Sequence, residues 1–215
     1  MERMPDIMTL IAFVAMVGLV PFIAIMATSF VKISVVLSLV RNAIGVQQIP
    51  PNMAIHGIAI ILTLFIMAPV GYEIAEIVEK NDYSFEDVNS FKATMSKTLT
   101  PYKKFLTKHI GDEQRDFFVE NAKKQWPQKY QAEVAEDNLL ILIPAFLVTE
   151  ITKAFEIGFL LYLPFLAIDL IISNILLALG MMMVSPMTIS LPFKLLLFVL
   201  LDGWTKLIHG LVMSY

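Results

Sequence analysis

The stretch from Pro144 to Phe159, PAFLVTEITKAFEIGF, sets Glu150, Lys153 and Glu156 at every third position of an otherwise apolar run. On a helix that spacing puts all three along one side. Two carboxylates and an ammonium so placed could relay protons, hold ions, or pair with charges on other helices. Asp169, near Ser173 and Asn174, adds a fourth charge, and Lys194, Asp202 and Lys206 follow, the last two spaced i,i+4 in LLDGWTKLIHG. A charge at membrane depth costs at least ~2.5 kcal/mol on insertion scales, so each of these needs a partner. Within the Glu-Lys-Glu set one glutamate is left over, and Lys32, Lys194 or Lys206 are the cations that could meet it. Three arrangements answer the pattern: pairs inside one subunit, pairs between copies, or a proton or ion relay. Four helices offer few fully interior faces, which favours pairs between copies.

Other chemistry is thin. His56, His109 and His209 are scattered, without the HExxH spacing or a carboxylate neighbour that a metal site needs. There is no phosphate-binding loop and no nucleophile elbow. The sequence therefore predicts no catalytic residue, no metal and no cofactor, and a chain that is not an enzyme. A net charge of −3 gives no reason to expect nucleic acid, and the absence of cysteine excludes disulfides and thiolate metal sites.

The elements that must carry these charges are apolar. Of the 215 residues, 57% are hydrophobic and 16% charged, against about 45–50% and about 25% in soluble domains. No charge occurs between Asp6 and Lys32, nor between Arg41 and Glu73. Both gaps exceed the roughly 20 residues that cross a bilayer core. The N-terminal run is too long for a secretory h-region and lacks a small-x-small cleavage site, so it reads as a retained helix. Paired prolines at 50 and 51 end the first helix and open a turn from about Gly45, and a second helix is expected over about Met53 to Tyr72.

Residues 73–137 are different, holding 23 of the 35 charged residues. There Thr100-Pro101 predicts an N-cap followed by a first-turn proline. The segment from Pro101 to Trp126 predicts one amphipathic helix carrying Phe105, Ile110, Phe117 and Phe118, and Ser84 to Val88 another helix start. From Leu139 the chain is apolar again, long enough for two spans with a break near Met183 to Pro192. The expected fold is an all-α integral membrane protein: an apolar hairpin over 1–72, a soluble helical insert over 73–137 and a second apolar hairpin over 138–215. The first connection carries Lys32 and Arg41 while the insert is net acidic, which places the insert outside the cytoplasm.

Gly180 and Pro186 bracket Met181, Met182 and Met183 in GMMMVSP. Such a run is commonly core filler, but its brackets predict a bend or loop. Methionine there is soft and repacks against changing surfaces.

Four stretches carry a family resemblance: TSFVKISVVLSLVRNAIGVQQIPPN from Thr28, IMAPVG, PAFLVTEITKAFEIGF, and SPMTISLPFKLLLFVLLDGW from Ser185. The sequence resembles the FliP/SctR/SpaP family of type III secretion export-apparatus proteins. The resemblance implies a core pore-forming subunit of an export gate in the bacterial inner membrane, conducting unfolded proteins. It implies a roughly pentameric, slightly helical ring with two smaller membrane proteins as partners, and the insert on the periplasmic side. In such a ring Met181, Met182 and Met183 would form a gasket, and the charges at Glu150, Lys153, Glu156, Asp169, Lys194, Asp202 and Lys206 would pair across subunits. The start close to the first family helix favours the injectisome branch over the flagellar one. A proton-coupled transporter or small channel using the buried charges is the alternative, and a pure assembly scaffold a third. No internal inverted repeat supports the transporter.

Overall fold

The computed structural model describes Gly18 and residues 25–46, 49–80 and 97–215. Every regular element among them is helical. The expected helix start at Ser84 lies outside the described residues, as does most of the first apolar segment.

Helix α1, Phe30–Ile44, is the most enclosed element, burying Ile33, Val36, Leu37, Val40 and also Lys32. Gly45 closes it in the left-handed conformation (φ 87°), its N–H donating to Asn42 O, the role for which glycine is suited at a helix end. The turn beyond is tied by Arg41, whose Nη1 donates to Pro50 O at 3.2 Å and to Asn52 Oδ1 at 2.6 Å. Helix α2, Asn52–Lys80, then runs back. It continues eight residues past the expected end at Tyr72, because the charged stretch after Tyr72 is itself helix-forming and closes with a Glu76–Lys80 pair.

The single amphipathic helix expected over 101–126 is two. Helix α3, Thr100–His109, and helix α4, Asp112–Gln125, are separated by Ile110 and Gly111, both extended. Glycine is a poor helix interior residue, and here its N–H donates instead to Thr149 Oγ1 at 3.2 Å. Asp112 and Glu113 then fall in the first turn of α4, where carboxylates suit the helix dipole. Leu99, with no side-chain cap, stands where Thr100 was expected as N-cap; Thr100 is already helical. Of the aromatic residues in this stretch Phe105 is buried, whereas Phe117 is exposed.

Helix α5, Leu139–Ala178, is the spine. Its 40 residues extend about 60 Å, roughly twice a bilayer core, at the usual rise per residue. Asn138 caps it, accepting from Leu140 N at 2.9 Å. All three hydrophobic clusters rest on it or on helices packed against it. Ala154 and Phe165 meet α1, Leu142 and Phe146 meet Phe105 and Leu106 of α3, and Ile141 meets Val119 and Ala122 of α4. The closest approach is at Gly158, where an added Cβ would lie 2.3 Å from Leu39 Cδ1.

Helix α6, Pro186–Leu200, and helix α7, Gly203–Met213, complete the chain. The break expected near Met183 to Pro192 falls over residues 179–185, and Pro192 sits inside α6. A second break follows at Asp202, left-handed at φ 54°, and turns α7 by 60° from α6. By length and composition α2 and α5 can each cross a membrane, and α6 with α7 makes a third, bent candidate.

Candidate functional site

The charges that the sequence placed in the apolar helices separate into two buried clusters and a set left on the surface. The first cluster forms where α1, α5 and the residues after α7 converge. Glu150 is fully buried, and its Oε2 lies 3.3 Å from Lys32 Nζ, itself 1% exposed. Tyr215 joins both: its hydroxyl donates to Glu150 Oε2, and Lys32 Nζ stands 3.5 Å above its ring centroid. A carboxylate, an ammonium and an aromatic face thus satisfy one another where water does not reach. Glu150 Oε1 has no hydrogen-bond partner among the described residues.

The insert closes over this cluster. His109 is buried, with Nδ1 2.8 Å from Phe105 O and Nε2 3.3 Å from Tyr215 O. Lys108 Nζ donates to the same Tyr215 carbonyl at 3.1 Å. Lys153 does not pair with Glu150 or Glu156; its ammonium donates to His109 O at 2.9 Å. Nearby, Tyr102 donates to Ala27 O at 2.8 Å, and burial pushes its hydroxyl up to a pKa of about 12.

The second cluster joins α5 to α6. Lys194, 3% exposed, lies 2.6 Å from Asp169 Oδ2 and donates to Ala43 O at 3.1 Å. Ser190 donates to the other carboxylate oxygen at 2.6 Å. Ser190 and Lys194 are one helical turn apart, so both reach Asp169 from one face of α6. Helix rise along α5 sets Glu150 and Asp169 about 28 Å apart.

The remaining charges are exposed. Glu156 has no ion-pair partner among the described residues, and Asp202 and Lys206 do not pair through their side chains. Asp202 Oδ1 accepts from Thr205 instead, at 3.1 Å. Met181, Met182 and Met183 lie on the loop between α5 and α6, 44, 83 and 101% exposed. His56 is exposed, its ring 6.0 Å from that of Phe30. No group of three potential metal ligands occurs among the described residues.

Residues 13–211 match the FliP family. The chain belongs to the FliP family. It is 58% identical over 215 residues to Yop proteins translocation protein R of Yersinia pestis, covering all of this chain and 99% of that one. It is 47% identical over 210 residues to harpin secretion protein HrcR of Erwinia amylovora, covering 98% and 97%. It is 48% identical over 212 residues to virulence protein YscR of Salmonella typhimurium, covering 96% and 95%. As a FliP-family protein the chain is a non-enzymatic component of type III secretion, a protein-transport machine.

Two participants escaped the sequence reading of this FliP-family chain. Tyr215 follows an apolar helix with no charged neighbour, and nothing local marks its hydroxyl for Glu150. Ser190 had a signal: a hydroxyl four residues before a lysine, on an apolar helix, is placed to share that lysine's partner.

Proposed function

We propose that this chain is a pore-forming subunit of a type III secretion export gate, of the injectisome branch, through which unfolded proteins cross the bacterial inner membrane. Several copies encircle the channel, roughly five, with two smaller membrane proteins completing the assembly and the insert of residues 73–137 on the periplasmic side. The names of the relatives, which speak of translocation, harpin secretion and virulence, support the branch.

The observation that carries the pore is the α5–α6 loop. Its backbone is non-helical, and Met182 and Met183 are largely exposed on it, with Met181 partly exposed. At membrane depth such backbone is tolerated only where protein or a water-filled cavity surrounds it. Helix α6, at about 22 Å, is too short to cross a core of about 30 Å by itself. A loop and a short broken helix with bare apolar faces fit the inside of a ring better than a lipid boundary. The Met181, Met182 and Met183 side chains then close the channel as a gasket. The charges left exposed at Glu156, Asp202 and Lys206 are available for pairing with neighbouring copies. A proton relay is disfavoured because Glu150 and Asp169 lie in separate clusters, each with its own cationic partner.

The chain has no cysteine, so Met182→Cys introduces a single thiol per copy. In a ring whose loops meet on the axis, mild oxidation of the detergent-purified oligomer links copies in pairs, since thiols bridge only when their Cα atoms come within about 7 Å. An intact oligomer that yields no disulfide at this position refutes the placement of the loop on the axis.

A further inference from the structure

Between the end of α2 and helix α3 lies a groove of about 700 Å³ with an apolar floor and a charged mouth. Phe65, Ile66 and Val70 of α2 form one wall, Phe105 of α3 and Val212 of α7 the other. The charged groups at the mouth are Glu73 from α2, and Lys104, Lys108 and His109 from α3. Two of them are already engaged, Lys108 by Tyr215 O and His109 by Phe105 O and Tyr215 O. Glu73 and Lys104 are not: both are exposed and have no ion pair or hydrogen bond among the described residues. They line the same groove without approaching to 4.0 Å. One unpaired anion and one unpaired cation are thus held apart over an apolar trough.

Depth along α2 says what such a site would meet. Glu73 is the first charged residue after Arg41, so the hydrocarbon boundary falls at Tyr72 and Glu73. Tyr72 is exposed at the groove rim, as tyrosine is at the headgroup level of a bilayer. From there to Phe65 the groove wall descends about 12 Å along the helix into the core.

We infer that this groove binds one phosphatidylethanolamine, its phosphate on Lys104, its ammonium on Glu73, and an acyl chain along Phe65, Ile66 and Val70. A zwitterionic headgroup carries opposite charges a few ångströms apart, so one molecule can meet an acid and a base that stand more than 4.0 Å from each other. An anionic headgroup would satisfy Lys104 and be repelled by Glu73. The lipid would tie the spanning helix α2 to the insert at a place where protein contacts alone leave two charges open. This site is independent of whether the ring conducts protein.

The test uses the full chain purified in mild detergent and exposed to equal amounts of palmitoyl-oleoyl phosphatidylethanolamine and phosphatidylglycerol, with retained lipid read by native mass spectrometry. Phosphatidylethanolamine is expected to be retained about tenfold over phosphatidylglycerol, the scale of one charge-assisted hydrogen bond. Glu73→Ala should abolish that preference while still holding either lipid, and Lys104→Ala should weaken both. Lys97→Ala, on the insert but outside the groove, should change neither. Both groove residues are exposed, so unchanged helical content by circular dichroism is expected for every variant. Equal retention of the two lipids by the unaltered chain, or a preference that Glu73→Ala leaves in place, overturns the proposal. So does a groove found empty of lipid because a neighbouring copy covers it.

Discussion

Lys32 and Glu150 together form a stable arrangement that neither could form alone. Bringing both ions out of water costs several kcal/mol each, and only their mutual attraction with the Tyr215 hydroxyl and ring offsets it. Removing one partner strands the other. Lys32→Met should therefore cost about 3–5 kcal/mol of stability, measured by denaturant unfolding in detergent. Lys32→Met combined with Glu150→Leu should cost clearly less than Lys32→Met alone, since no buried charge remains. A double variant less stable than the single one would show that the pair contributes more than mutual neutralisation. Tyr102 makes a second residue-scale case. Its hydroxyl is held neutral up to about pH 12, above the ordinary value of 10.0, by burial. A tyrosine whose folded pKa is raised binds its proton more tightly in the folded state, so its contribution is intact below pH 10 and is lost as pH rises toward 12. The difference in stability between the unaltered chain and Tyr102→Phe should shrink across that window, and a constant difference would rule the coupling out. At this scale the sequence revealed which charges are abnormal but only partly how they are met. Glu150 stands out in an apolar run, and Lys32 was among its three possible partners. Tyr215 lies 65 residues along the chain, and Lys153 reaches a backbone carbonyl, which no side-chain pattern records.

At the scale of the helix, the legible features were those set by local chemistry. The α1–α2 turn follows from Gly45 and the paired prolines, and the loop before α6 from Gly180 and Pro186. The split between α3 and α4 was missed because a continuous amphipathic pattern runs through Ile110 and Gly111. The deciding bond, from Gly111 N–H to Thr149, comes from another helix. The break expected near Met183 to Pro192 falls over residues 179–185, α6 passes through Pro192, and a second bend follows at Asp202. Helix contacts depend on another property, how near two backbones can come. Gly158 lets α5 approach α1 so closely that a Cβ would meet Leu39 Cδ1 at 2.3 Å and Leu39 Cβ at 3.2 Å. Gly158→Ala gains up to about 1 kcal/mol of helix propensity but overpacks the contact by about 1–3 kcal/mol. The expected net loss is about 1 kcal/mol, and it should diminish or reverse in a Leu39→Ala background, where the obstructing side chain is gone. Equal effects of Gly158→Ala in both backgrounds would mean that Leu39 is not what confines the helix.

For the whole molecule, the apolar surface left bare is the dominant fact. Phe155, Phe159, Leu160, Leu170 and Ile171 are exposed along α5, and Phe193, Leu196 and Val199 along α6. The described residues leave them bare, a surface that suits neighbouring copies or lipid. Sequence made this environment legible, because composition alone demands a membrane; which faces meet lipid and which meet protein depends on copies that one sequence does not contain. The gasket proposed for the methionine loop makes that distinction testable. Side chains that seal a channel must exclude water at rest and yet yield to a passing chain, and methionine supplies apolar bulk on three rotatable bonds. Replacing Met181, Met182 and Met183 together by alanine keeps the backbone and removes most of that bulk from a loop on which Met182 and Met183 are largely exposed and Met181 partly so. Assembly should therefore be unaffected, while ion flux through reconstituted liposomes should rise by about tenfold or more as the constriction wets, a barrier change of about 1.4 kcal/mol. The triple leucine variant, apolar and of similar volume, should restore the ion seal. Stiffer branched side chains should nevertheless slow passage of a secreted protein. Oligomers of the alanine variant that assemble normally and hold ions as tightly as the unaltered chain would remove the gasket from the mechanism and leave the loop as a simple connection between helices.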